Sequence, residues 1–100
     1  MSYIDYLEDE SFDYVEELIS QFKVKIGQQS IKIRITQDSL GYYQFETSHF
    51  YHGSKQAGPY IVSAANFKSE KEAIMHARKQ IVSFYDPEDI NAVWVENSLY

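Results

Sequence analysis

The chain has no cysteine, and only two prolines and four glycines in 100 residues. Without cysteine there is no disulfide, no thiolate nucleophile, no zinc–thiolate centre and no iron–sulfur cluster. Small secreted domains usually depend on disulfide staples, so the absence points to a reducing, cytoplasmic location. The first residues lack both the basic start and the apolar stretch of a signal peptide. No apolar run is long enough to span a bilayer, so no membrane association is expected. Asn66, Asn91 and Asn97 each lack a hydroxyl residue two positions on, so there is no N-glycosylation sequon. Repeats, low-complexity tracts and linkers are missing too. The reading is therefore one domain over 1–100, with 1–10 as a flexible or short helical acidic lead.

A base is also missing from the first twenty residues, which carry seven acids (Asp5, Glu8, Asp9, Glu10, Asp13, Glu16 and Glu17). Residues 23–79 hold all nine bases against four acids, and 86–100 add four acids without a base. The net charge is −6. Charge sorted into blocks implies one acidic and one mildly basic surface, a pattern that steers partners and does not decide a fold. Aromatic residues make up 16% of the chain, and nine of them are Tyr. Tyr buries a ring while keeping a polar tip, which suits half-exposed sheet faces and binding surfaces.

Phe12, Val15, Leu18, Ile19 and Phe22 follow a helical period, with Ser11 as N-cap and Asp13, Glu16 and Glu17 near the positive end of the helix dipole. Ser2 and Asp5 suit an earlier turn. Alternation follows: Val24 and Ile26 between lysines, then Ile31, Ile33 and Ile35 between Lys32, Arg34 and Thr36, a half-buried strand signature. After a turn at residues 37–41, residues 42–51 read as a second strand and 60–65 as a third, separated by the turn-rich stretch 52–59. Ser69 and Glu72 form a capping box for a helix over 69–85, with Ala73, Ile74, Ala77, Ile81 and Phe84 as its buried stripe and Pro87 as its stop. Residues 92–95 make a last strand. The expectation is an α+β domain of order α-β-β-β-α-β, an antiparallel sheet with helices packed on one face.

The chemical constellations are thin. His49, His52 and His76 have metal-binding side chains, but His49 and His52 have opposite strand parity and no spacing rule ties His76 to them. Gly53 and Gly58 have phosphate-loop spacing, yet Pro59 and Tyr60 stand where Lys and Ser/Thr are needed. There is no G-x-S-x-G elbow, and Glu16/Glu17 lie on a charged face where carboxylates stay solvated. No catalysis, metal or cofactor is expected.

Lys23, Lys25, Lys32 and Arg34 line the polar side of the first strand region, and Lys68 and Lys71 open the second helix. The order α-β-β-β-α resembles the double-stranded-RNA-binding domain. Lys68-Ser69-Glu70-Lys71 lies where that family carries its phosphate-contacting lysines. Here Glu70 and Glu72 interrupt the lysine run, and the acidic load on the first helix departs from the family. Gly41-Tyr42-Tyr43 and Ser69-x-x-Glu72-Ala73-Ile74-x-x-Ala77-x-x-x-Ile81 look like the strand-to-helix segment of HicB-type antitoxin domains. The Pro-Asp/Gly strand-end pattern of that family is missing, and neither family is assigned.

The expected function is a small acidic, non-catalytic interaction module, a regulator or inhibitor of the kind mobile elements and phages encode. Its partner would be a protein with a basic surface, bound through Glu8, Asp9, Glu10, Asp13, Glu16 and Glu17 and through Tyr42, Tyr43, Tyr51 and Tyr60. The alternative is nucleic-acid binding through Lys23, Lys25, Lys32, Arg34, Lys68 and Lys71.

Overall fold

The stretch whose spacing fits a helix contains a strand. In the computed structural model, which describes residues 4–63 and 65–100, Glu16–Ile26 forms β1 and pairs antiparallel with β2, Gln29–Asp38. A register shift between Leu18 and Ser20 explains the misreading. Before the bulge, odd positions point to the core side and Ile19 packs there; after it, Phe22 and Val24 lie opposite Ile33 and Ile31. One inserted residue flips strand parity, so two period-two runs join into an apparent helical stripe. β-branched and aromatic residues then favour the strand. Ahead of β1, among the described residues, the one named element is a 3₁₀ turn, Ile4–Leu7. Ser2 lies outside the described residues. Ser11 caps no helix; its N–H donates to Asp9 Oδ1 at 2.8 Å.

The hairpin loop is Gly27-Gln28, between the paired Ile26 and Gln29. Gly27 has φ +59°, the glycine-first arrangement of tight hairpins, and the Tyr85 hydroxyl lies 3.0 Å from where a Cβ would stand. Alternation along β2 buries Ile31, Ile33 and Ile35 and turns Lys32 and Arg34 outward.

Residues 42–51 are not one strand. β3, Tyr43–Thr47, pairs with β2, whereas β4, His49–His52, pairs with β5, Val93–Glu96. Ser48 is the changeover: its N–H donates to the Lys32 carbonyl at 2.9 Å, and its carbonyl accepts from Asn97 N–H at 2.8 Å. The result is two antiparallel sheets, β1-β2-β3 and β4-β5. Residues 60–63, read as part of a third strand, form none; Ala64 lies outside the described residues. Tyr60 N–H donates once to Tyr51, and Phe67 makes a single antiparallel bridge to Tyr43.

The helix α1 is Glu70–Val82. Glu72 N–H donates to Ser69 Oγ at 3.1 Å, and the Glu72 carboxylate accepts from Lys68 N–H at 3.1 Å, the expected reciprocal cap shifted by one residue. The helix stops well before Pro87. Ser83 Oγ donates back to the Lys79 carbonyl at 2.6 Å, and Tyr85 turns away to pack on Tyr51 and Trp94. Phe84 therefore leaves the stripe and sets its ring edge-on to Tyr60. Ala73, Ala77 and Ile81 join Ile31, Ile33, Ile35 and Phe67 in the core. Among the described residues the order is β-β-β-β-α-β behind a 3₁₀ turn, with one α-helix in place of two.

Candidate interaction surfaces

Glu8, Asp9, Glu10 and Asp13 are exposed on an irregular segment, and Glu16 and Glu17 open β1. The same segment exposes Tyr6 (79%), Leu7, Phe12 and Tyr14. Acids and large apolar side chains thus alternate outside both sheets. The Asp9 carboxyl is held below its ordinary range by hydrogen bonds from Ser11, backbone first. The Tyr14 phenol is pushed up by burial, by the Glu16 carboxylate and its hydrogen bond, and by Asp38.

The four tyrosines do not share a surface. Tyr51 is a core residue, 2% exposed, with its ring edge-on to Tyr85 and Trp94 and its hydroxyl on the Asp86 backbone. Tyr43 is half-buried against the core, and Tyr60 is half-buried against Phe84. Tyr42 is exposed just ahead of β3.

The pairing brings Lys23, Lys25, Lys32 and Arg34 onto one sheet face, with Lys23 opposite Lys32 and Gln21 opposite Arg34. Arg34 is engaged there: Nη2 lies 2.5 Å from Glu46 Oε2, and its guanidinium carbon sits 4.3 Å from the centre of the Tyr100 ring. Lys68 and Lys71 lie at the start of α1, whose core contacts are with the opposite face, that of Ile31, Ile33 and Ile35. The sheet separates the two basic sets. His49 sits 2.8 Å from Ser48 Oγ, His52 2.9 Å from the Gln56 carbonyl oxygen, and the His76 ring 4.6 Å from Phe67. Among the described residues no group of three or more His, Asp or Glu is arranged to hold a metal ion.

A feature that the sequence did not signal is a groove of about 590 Å³ between β3, residues 59–63 with Ala65, and the C-terminal residues. Phe45, Phe50, Val62, Phe67, Val95 and Leu99 give it an apolar lining. At one end the buried amide of Gln80 spans the gap, Nε2 donating to Thr47 Oγ1 at 2.6 Å and Oε1 accepting from Val62 N–H at 2.8 Å. Gln80 reads as a polar helix residue in the sequence; its buried role comes from bridging Thr47 on β3 to Val62 of the irregular stretch.

No described helix is long and apolar enough to cross a membrane. No family model matches the chain, and neither a curated protein nor a solved structure matches it.

Proposed function

We propose that this protein is a small non-catalytic interaction module, a regulator or inhibitor, that binds a partner protein with a basic surface through its acidic lead. The observation that carries the reading is the exposed segment 5–14, where four large apolar side chains stand among five acids outside both sheets. Aromatic side chains supply anchors at protein interfaces, while surrounding charge accelerates encounter. The absence of cysteine supports a reducing, cytoplasmic setting.

The test is kinetic. A partner captured from the native host's lysate is measured against the parent protein and a variant with Glu8→Gln, Asp9→Asn, Glu10→Gln and Asp13→Asn. Association at low salt should slow several-fold, dissociation should change less, and the difference should shrink as salt screens the charges. Unchanged association at low ionic strength would show the lead to be a solubilising face only. Nucleic-acid binding is the alternative, favoured by Lys23, Lys25 and Lys32 sharing the hairpin tip with no salt bridge among the described residues. It requires salt-sensitive binding of bulk duplex RNA or DNA, which the first reading does not.

A further inference from the structure

The helix α1 packs on β3 and β2, with Ala73, Ala77 and Ile81 against Ile31, Ile33 and Ile35. β1 extends the same sheet face beyond the helix. Its Phe22 and Val24 stand opposite Ile33 and Ile31 and so point to the core side, yet they remain 42% and 37% exposed. Every residue from Gln21 to Lys25 is exposed, so no described residue lies over this stretch of the outer strand.

The antiparallel ladder fixes which backbone groups reach the free edge. Lys32 N–H donates to Ser48 Oγ at 2.8 Å, and its carbonyl accepts from Ser48 N–H at 2.9 Å, so the Lys32 backbone faces away from β1. In an antiparallel pair the residue directly opposite also faces away from its partner strand. Lys23, opposite Lys32, therefore turns its N–H and C=O to the free edge, and Gln21 and Lys25 do the same by parity. No described residue bonds these backbone groups. The bulge between Leu18 and Ser20 lies to one side and leaves residues 20–26 a regular strand.

We propose that this edge joins a second copy of the chain, β1 beside β1 about a two-fold axis at Phe22, so that two β1-β2-β3 sheets become one. Edge-facing groups must meet edge-facing groups, which puts the axis through a residue. An axis at Lys23 or Val24 would set lysine against lysine, and one at Gln21 would run at once into both bulges. An axis at Phe22 pairs Gln21 with Lys23 of the second copy twice over, giving about four main-chain bonds. Phe22 then meets its own mate and covers the apolar area that α1 leaves open. Lys25 of each copy reaches the bulge of the other, beyond which Glu16 stands, so the basic tip of one hairpin lies beside the acidic base of the next. Lysines on an edge strand discourage indiscriminate pairing; here they select the register. The contact does not use the acidic lead and stands or falls independently of it.

Sedimentation equilibrium tests the association: the mass should rise from monomer toward dimer as the concentration approaches about 0.5 mM, and a chain still monomeric there overturns the proposal. Hydrogen exchange tests the surface. The amides of Gln21, Lys23 and Lys25 should slow about tenfold between dilute and concentrated protein, while Phe22 and Val24, bonded to β2, change far less. Slowing confined to the acidic lead or the groove beside β3 would assign the dimer to another surface and overturn this one. The axis has its own test, because the chain lacks cysteine and Phe22→Cys carries the only thiol. Non-bonded antiparallel pairs have Cα atoms about 4.5 Å apart, within disulfide reach. Mild oxidation should link this variant into a dimer at least tenfold faster than Met75→Cys, placed on the exposed side of α1. Equal rates would overturn the axis at Phe22. Phe22→Glu, at a position already part exposed, should weaken the dimer at least tenfold and keep the melting temperature of the monomer within a few degrees. Undiminished association of that variant would equally defeat the proposal.

Discussion

Asp38 ends β2 and holds the loop to β3 with a single carboxylate. Oδ1 accepts from the N–H groups of Leu40 and Tyr42 at 3.0 Å each, and Oδ2 accepts from Gln44 Nε2 at 3.0 Å. Burial pushes its pKa up, but the bonds from Gln44, Tyr42, Leu40 and Gly41 outweigh burial and hold it below the ordinary 3.8. A carboxyl depressed in the folded state stabilises the fold above its unfolded pKa, and that contribution is lost as pH falls through the folded value. Asp38→Asn should therefore cost about 1 kcal/mol near neutral pH, because a second amide then faces the Gln44 donor. Acid titration of stability below about pH 4 should be shallower in the variant than in the parent, with Asp9 and Asp89, both depressed, supplying the remainder. Chemical denaturation at a series of pH values checks both. Gln80 makes the complementary case: its amide accepts from Val62 N–H and donates to Thr47 Oγ1, whose own proton goes to the His49 carbonyl at 3.0 Å. Gln80→Leu leaves Val62 N–H without its acceptor and should cost about 1–3 kcal/mol, read as a lower midpoint of denaturation.

The elements differ in how openly the sequence declares them. α1 is legible because every local signal agrees: a capping box, acids in the first turn, and small residues where the helix meets the sheet. Ala73 and Ala77 are fully buried, so Ala77→Glu must overpack the contact and bury a charge, a loss of several kcal/mol. Met75→Glu, on the exposed side of the same helix, should leave the melting temperature within a few degrees of the parent. Comparable melts for the two variants would refute the packing. β2 is equally legible through its alternating isoleucines. β1 is not, because a bulge is a tertiary accommodation to β2 and leaves no mark except a change of parity that mimics a helix. The break at Ser48 is hidden for the opposite reason: alternation runs straight through residues 42–51, while the partner changes from β2 to β5. The candidate sites fared similarly. Exposure of the acidic lead follows from its composition, but the burial of Tyr51 and the opening beside β3 depend on pairings far apart in sequence.

As a whole the molecule is long. Its principal extents are 49 × 24 × 20 Å and its Cα radius of gyration is 15.5 Å, against about 13 Å for a compact chain of this length. The β1–β2 hairpin accounts for this, since strands of 11 and 10 residues extend about 35 Å, further than the five residues of β3 can follow. Charge is spread along that length, with Glu16 opposite Asp38 at one end of the hairpin and Lys23 opposite Lys32 towards its tip. The two sheets meet at Ser48, whose N–H and hydroxyl both bond to the Lys32 backbone while its carbonyl bonds to Asn97. In mechanical terms these are two plates joined along a short seam, since Thr47 Oγ1 also donates to the His49 carbonyl, Asn97 Nδ2 to the Thr47 carbonyl, and Trp94 packs against the core of the first sheet. Swinging the β4–β5 plate against the other would break these bonds even with every strand pairing intact, so the seam resists that motion.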